Sequence, residues 1–261
     1  MQTKYVEILR PNGLQWRHFG SVSSTMDEAR LLIDTRKDTS ADWCGLVTAD
    51  HQYQGRGRQG RSWESAQESW MGTFVIPTSK PIGELVGYSL GIGVAVARAC
   101  EELGCKLSLK WPNDLVVELD KGLAKVGGVL IEIEERAGTR FILVGLGLNI
   151  AGIPSSLRQQ AASLGDLAGQ KLSLGAVSER LVTNLMKVSR GFLQQDSFGS
   201  LRQEWEERTC FQQGRTKLSI CVADKILEGS YEGLTESGAL RLQTDECEHQ
   251  IHSGHIESIT L

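Results

Sequence analysis

Three apolar stretches in the middle of the chain, parted by tight turns, restrict the fold more than any other feature. Residues 114–119, 125–134 and 141–150 each read as a strand, and the gaps between them are too short for a crossover helix. Strands joined this way run as a meander, so their sheet is largely antiparallel or mixed. Further strands are expected at 44–49 and 71–77, and short ones within 4–20 around a Pro11-Asn12-Gly13 turn. Ser23, Ser24 and Thr25 precede a run with early acids, Asp27 and Glu28, and later apolar residues, which marks a helix N-terminus. Residues 84–103 are the longest helical candidate, and Gly87, Gly91 and Gly93 within it point to close packing against a sheet. A short helix is expected within 156–169, and helix over 175–208 with Leu181, Leu185, Val188 and Phe192 on one face. From Gln213-Gly214 the pattern changes to short strands and glycine turns, at 217–222, 226–233, 240–244 and 249–252. The expected class is α+β. Residues 1–213 hold a mixed, largely antiparallel sheet flanked by helices, and residues 214–261 form a β module too small to hold much core alone.

Composition sets the outer bounds. The 261 residues suffice for a full core. A hydrophobic content of 40% and a charged content of 23% are ordinary for a globular chain. The formal net charge of −4 argues against general nucleic-acid binding, which favours basic domains. Six scattered cysteines (Cys44, Cys100, Cys105, Cys210, Cys221 and Cys247) show no metal spacing, so buried thiols in a reducing cytoplasm are expected. The N-terminus is too polar and short for a signal peptide, and no apolar run reaches the length of a membrane span.

The chemistry starts at Gln54-Gly-Arg-Gly-Arg-Gln-Gly-Arg-Ser-Trp63, where Arg56, Arg58 and Arg61 alternate with Gly55, Gly57 and Gly60. Glycine lets a backbone wrap closely around a ligand. Arginine brings a permanent charge and a planar fork suited to phosphate or carboxylate. The loop should be mobile when empty and close on an anion. The same residues match G-x-G-x-x-G, but no apolar helix follows and no acid lies about 20 residues on, so a dinucleotide site is disfavoured. A solvated basic loop or a nucleic-acid patch is the blander reading.

Lys110-Trp-Pro-Asn-Asp114 is the second signal. Pro112 restricts the backbone, presenting Asn113 and Asp114 at a turn entering a strand. Asp114 could hold magnesium through an oxygen, and Lys110 could reach a phosphate, or the segment is a structural turn. Lys125-Val-Gly-Gly-Val-Leu-Ile-Glu132 puts Gly127 and Gly128 in a strand, where a ligand or another backbone approaches closely. Lys125 ahead of them is either an anion contact or a surface lysine. Gly145-Leu-Gly-Leu-Asn149 repeats the device, with Asn149 as a ligand contact or a turn cap.

In this order and spacing, Ser-Ser-Thr, G-R-G-R-x-G-R-x-W, K-W-P-N-D, K-x-G-G-x-L-x-E and G-x-G-x-N resemble the biotin protein ligase family over about residues 20–150, and the C-terminal module extends the likeness to nearly the whole chain. The resemblance implies a class II synthetase-like biotinyl/lipoyl ligase core with a small C-terminal SH3-like β-barrel. It implies that the biotin carboxylate attacks the α-phosphate of ATP, with magnesium present, and that the biotinyl-5′-adenylate then acylates a lysine of a biotin carboxyl carrier protein, that of acetyl-CoA carboxylase. Carried over by residue, Ser24, Thr25 and Gln52 would line biotin, Gly128 and Gly145 would offer it backbone groups, and Gly55, Arg56, Gly57 and Arg58 would close over its tail and the adenylate phosphate. Arg58, Arg61, Trp63, Lys110, Asn113 and Asn149 would face the nucleotide, Asp114 the metal, and Lys125, with Arg58, would act in the first chemical step.

The sequence departs from the family pattern at Met26, where Asn is frequent, at Gln59, where arginine is frequent, and at His255 and Ile259 in the last strand. Ser24 lies only 23 residues from Met1, so the short, monofunctional class without an N-terminal DNA-binding domain is expected. That class would be cytoplasmic, with no DNA or membrane partner, and it admits a homodimer. The alternatives are a lipoate or octanoate transferase on the same scaffold, which lacks the arginine-rich loop, a nucleic-acid-binding protein using that loop, and a biotin-binding module without catalysis.

Overall fold

The strands and helices follow from local chemistry. In this computed structural model residues 4–9, 13–37, 40, 42–63, 66–120, 122–153, 160–194 and 198–260 are described. In chain order they form β1 (Tyr5–Leu9), β2 (Leu14–Val22), α1 (Thr25–Thr35), β3 (Cys44–Gln52), β4 (Glu68–Thr78), α2 (Tyr88–Glu101), β5 (Ser108–Lys110), β6 (Asp114–Leu119), β7 (Gly122–Arg136) and β8 (Thr139–Ala151). There follow α3 (Leu164–Ala168), α4 (Leu174–Gln194), α5 (Gly199–Arg208), β9 (Lys217–Val222), β10 (Lys225–Leu234), β11 (Leu240–Gln243), β12 (Glu248–Ile251) and β13 (His255–Thr260). Pro11 and Asn12 of the expected first turn, and residues 156–159 of the expected short helix, lie outside the described residues.

The chain divides into two compact units, Met1–Ser79 with Val126–Ser178, and Lys80–Lys125 with Glu179–Leu261. The first holds the strand order β1-β2-β3-β4-β8-β7, and the second, to which the start of β7 belongs, holds β7-β6-β5. β2 and β3 pair in parallel. The pairs β1·β2, β3·β4, β4·β8, β7·β8 and β5·β6 are antiparallel, as the meander requires. Ala137 and Gly138 both take positive φ, 50° and 77°, which suits the tight turn from β7 to β8. In the first unit α1 lays Met26, Ala29, Leu32 and Ile33 on Val47, Val75 and Leu143 of one sheet face, a buried apolar cluster.

The fold departs from expectation in four places. The stretch 175–208 is not one helix: α4 ends at Gln194 and α5 starts at Gly199. Between them Phe198, fully buried, fills the space over Gly87, where an added Cβ would lie 2.7 Å from the Phe198 Cβ. Of the helix glycines, Gly93 does pack toward strand β5, where an added Cβ would lie 3.5 Å from Leu109, but a Cβ on Gly91 would lie 3.1 Å from Leu201 of α5, so helix contact set that position. One segment, Ile82–Glu101, is long and apolar enough to cross a membrane by length and composition, contrary to the sequence reading. Its apolar residues are spent on the protein core, for Leu90 through Ala97 are buried without a break. Finally, the thiols are not all buried: Cys44, Cys100 and Cys105 are, Cys210 and Cys221 are half-buried, and Cys247 is exposed.

Residues 217–260 form a five-stranded sheet of order β12-β11-β10-β9-β13, the small SH3-like module. Ala223 and Asp224, at φ 46° and 65°, turn β9 into β10. Within its unit the module is tied to α5: the Glu206 carboxylate accepts from Leu234 N at 2.9 Å, and Arg202 donates to Leu234 O at 3.4 Å.

Candidate functional site

In the first unit the helix start and the loop converge on one sheet face. Ser24 caps α1, its hydroxyl accepting from Met26 N at 3.3 Å. Thr25 follows, and its N–H and hydroxyl both reach Gln52 Oε1, at 2.7 and 3.0 Å. Thr73 on β4, fully buried, donates to the Thr25 hydroxyl at 2.9 Å. Three of the four partners here are sequence-predicted; Thr73 is not, since a lone threonine in an apolar strand carries no signal. Met26 is buried in the helix–sheet core, with its sulfur 3.3 Å from where a Cβ on Gly145 would be. The apolar residue at that position therefore serves packing.

The ladder explains the strand glycines. Gly128 on β7 stands directly opposite Gly147 on β8, and Gly145 stands opposite Leu130 on one side and Thr73 on the other. Alternation puts Gly145 and Gly147 on the face that carries α1. The indole of Trp63 lies on Gly147, with ring carbons 2.6 Å from an added Cβ. Any side chain at 147 would displace Trp63. The sequence reading singled out Gly145; the position that Trp63 demands to be bare is Gly147. Asn149, two residues on and 5% exposed, donates its amide to Ala162 O at 3.3 Å.

The loop itself is a small hairpin. Trp63 N donates to Gly55 O at 2.9 Å, Gly57 N to Arg61 O at 2.7 Å, and Arg61 N to Arg58 O at 3.2 Å. Gln59 and Gly60 take positive φ, 56° and 73°, at its tip. The base is bound to the end of β2, Tyr53 N to Val22 O at 3.1 Å and Gln54 N to Ser23 O at 2.9 Å. Arg56 is exposed yet held: its guanidinium lies 2.5 Å from Asp27 Oδ1 on the first turn of α1. Arg30 shares that carboxylate at 3.1 Å and also binds Glu134, at 2.5 Å, and Glu132 of β7. The hydrogen bond from Arg30 holds the Glu134 carboxyl below the usual range, and burial, then Asp27, raises that of Glu28.

In the second unit Lys110 and Asp114 are cross-strand partners of the β5–β6 hairpin, with Trp111, Pro112 and Asn113 as its turn. The Trp111–Pro112 peptide is cis. Trp111, 2% exposed, donates its indole N–H to Gly238 O at 3.3 Å, so the hairpin tip is pinned into the unit's core. Asp114 Oδ1 lies 2.6 Å from Lys125 Nζ, which brings the two predicted residues together. β5 is braced by Cys210 N and the Thr209 hydroxyl, which donate to Leu109 O at 3.1 and 3.0 Å. Burial pushes the Cys210 thiol up to about 12 against the opposing pull of Lys110, so it stays a neutral packing group.

Among the described residues no group of three or more His, Cys, Asp or Glu side chains is gathered to hold a metal. Asp114, the carboxylate expected to touch magnesium, is the one that carries Lys125. Such a donor set fits an ion that arrives on a nucleotide and meets the protein through one or two oxygens, and does not fit an all-protein cage.

Comparison with known proteins gives these features their frame. Residues 19–149 match the biotin/lipoate A/B protein ligase family, and residues 219–257 match the C-terminal domain of biotin protein ligases. The bifunctional ligase/repressor BirA of Bacillus subtilis is 29% identical over 245 residues, 90% of this chain and 71% of that protein. The biotin–[acetyl-CoA-carboxylase] ligase of Paracoccus denitrificans is 30% identical over 210 residues, covering 76% of this chain and 83% of that one. Among solved structures, the biotin protein ligase of Aquifex aeolicus in complex with biotin and ATP superposes with a TM-score of 0.76 at 26% identity, over 95% of this chain and 98% of that one.

Proposed function

The chain belongs to the biotin/lipoate A/B protein ligase family, and from that premise we propose how its residues carry out biotinylation. The reaction is ATP-dependent ligation of biotin, through biotinyl-5′-AMP, to a lysine of a biotin carboxyl carrier protein, that of acetyl-CoA carboxylase. The observation that carries this reading is the sheet face where the start of α1, Gln52 and the loop converge over Gly145 and Gly147. The strand glycines let Met26 and the Trp63 indole approach the backbone closely, and the hydroxyl and amide groups of Ser24, Thr25 and Gln52 supply hydrogen bonds for a flat ring system.

In this reading Ser24, Thr25 and Gln52 line the biotin head, and Gly128 and Gly145 offer it backbone groups. Gly55, Arg56, Gly57 and Arg58 close over the tail and the phosphate. Arg61, Trp63, Lys110, Asn113 and Asn149 serve the nucleotide. The difficulty of the first step is that one anion must attack another. Two unit charges 4 Å apart interact by about 4 kcal/mol at an effective dielectric near 20. Lys125 offsets this between the biotin carboxylate and the α-phosphate, and Arg58 acts in the same step. The ion pair with Asp114, 2.6 Å long, keeps the Lys125 ammonium at one point, and a cation already in place costs no reorganisation when charge develops. Magnesium carried by the nucleotide, with Asp114 as its protein oxygen, would neutralise phosphate charge. The closed loop keeps water from a hydrolysable mixed anhydride.

The division into a ligase domain, 1–213, and a module, 214–261, belongs to the same proposal and is supported by the separate match over 219–257. A cytoplasmic location and a partner list without DNA belong to it too, and the net charge of −4 favours the absence of DNA.

Pyrophosphate release with ATP and magnesium, measured separately with biotin, lipoate and octanoate, tests the substrate. Release with biotin, followed by labelling of a carrier lysine, is expected; release with lipoate or octanoate alone would transfer the chain to the other branch of its family. Replacing the half-buried Arg58 with glycine should change stability by no more than about 0.5 kcal/mol. It should nevertheless let adenylate escape and label bystander lysines. Strictly carrier-directed labelling by Arg58→Gly would remove Arg58 from the retaining role.

A further inference from the structure

Asp27 has no place in the roles assigned above, yet it is a point where a loop side chain is fastened to α1. One carboxylate oxygen accepts from Arg56 at 2.5 Å and from Arg30 at 3.1 Å, and the other receives the Ser23 hydroxyl at 3.4 Å. Arg30 is itself immobilised by Glu132 and Glu134 on β7. Asp27 is thus a rigid acceptor, set by the sheet on one side and presented to the loop on the other. The loop needs such an acceptor. Arg56, Arg58 and Arg61 lie within six residues and repel one another, and the intervening glycines give the backbone little reason to stay folded. A carboxylate at Arg56 offsets that repulsion before any ligand arrives.

We propose that Asp27 is a positioning residue. It latches Arg56 and so holds residues 55–62 against the first turn of α1, which sets how well an acyl adenylate is retained. What is retained rests on the ligase reading; the latch does not. Since Arg56 and Asp27 are 42% and 41% exposed, the latch is weak enough to open within a catalytic cycle.

Hydrogen exchange of residues 55–62 in the ligand-free protein tests this, at low and high salt, for the wild type, Asp27→Asn, Asp27→Glu and Glu28→Gln. Asp27→Asn should lose about two- to fivefold of the protection, and with it the salt dependence that an exposed ion pair confers. Asp27→Glu should keep both. Glu28→Gln controls for the loss of an acid from the first turn of the helix, which alone would weaken α1, and should leave the loop as it was. In turnover Asp27→Asn should label more bystander lysine per carrier than either the wild type or Glu28→Gln, which loses an acid from the same helix turn. Unchanged protection and salt response in Asp27→Asn, or an equal loss in Glu28→Gln, would overturn the latch. A wild type that shows the salt-sensitive protection but releases no pyrophosphate with biotin would sink the ligase reading and leave the latch standing.

Discussion

The loop of residues 53–63 and the hairpin β5–β6 both offer cations, and they are built on opposite plans. In the loop, Arg56 and Arg61 are exposed and Arg58 is half-buried, on a backbone rich in glycine, with rungs of its own and an ion pair from Arg56 to Asp27. In the hairpin, Lys110 stands next to Trp111, a residue 2% exposed whose indole bonds to Gly238, and the neighbouring Asp114 fastens Lys125. Ordering the loop costs conformational entropy that little burial repays, whereas the hairpin is ordered by its core contacts as the protein folds. A part that must open and close suits the first plan. A part that must hold one ammonium still suits the second.

If that contrast is right, disturbing the hairpin should cost stability first. Trp111→Ala removes a fully buried indole and its hydrogen bond and should destabilise the protein by about 3–5 kcal/mol, read by denaturant unfolding. A loss under about 1 kcal/mol would mean that the tip is not pinned. Lys125→Ala separates function from folding: pyrophosphate release should fall about 10²–10³-fold while biotin still binds. Release at the wild-type rate would take Lys125 out of the first step.

Gly147→Ala asks what the loop leans on. An added Cβ would lie 2.6 Å from the Trp63 indole, so the ring must move. The expected cost is about 1–3 kcal/mol, with a shift in tryptophan fluorescence and faster exchange of residues 55–62. Combining it with Trp63→Ala should restore most of the stability but not the nucleotide affinity. Full additivity of the two changes would break the contact.

The smallest effect concerns pH. Glu134 in the first unit and Glu204 in the second both have carboxyl groups held below the usual range, chiefly by hydrogen bonds from Arg30 and Arg98. A depressed folded-state value means stability that is present above the unfolded value, near 4.5, and is lost as pH falls through the folded one. Glu134→Gln should therefore flatten part of the acid limb of the stability curve by under about 1 kcal/mol and unlatch nothing in the second unit. An acid limb identical to that of the wild type would show that the Arg30 network carries no such linkage.

Much of the fold was legible because the sheet is local in sequence. Strands 114–119 and 217–222 were read to the residue, and β7 and β8 to within about three, since apolar runs of strand length and the short turns between them are properties of neighbouring residues. The break between α4 and α5 was not legible. Phe198 looks like one more apolar residue in a helical stretch, and only Gly87, more than a hundred residues away, reveals that it fills a gap. The apolar segment Ile82–Glu101 misleads for the same reason: hydrophobicity alone does not say whether a lipid or a protein core receives it.

The site divides along the same line. Residue types and their spacing by themselves determined the chemistry on offer: a glycine-arginine loop, a Lys-Trp-Pro-Asn-Asp turn, and glycines inside strands, in an order that belongs to one family. Which partner each group takes was decided by tertiary structure alone. Thr73 reaches Thr25, Asp27 takes Arg56, Asp114 takes Lys125 and Trp63 covers Gly147, across sequence separations of 48, 29, 11 and 84 residues. A hydrogen bond or an ion pair depends on a separation of a few ångströms between atoms. Side-chain identity states what a group is able to bind; only the folded backbone sets what stands within its reach.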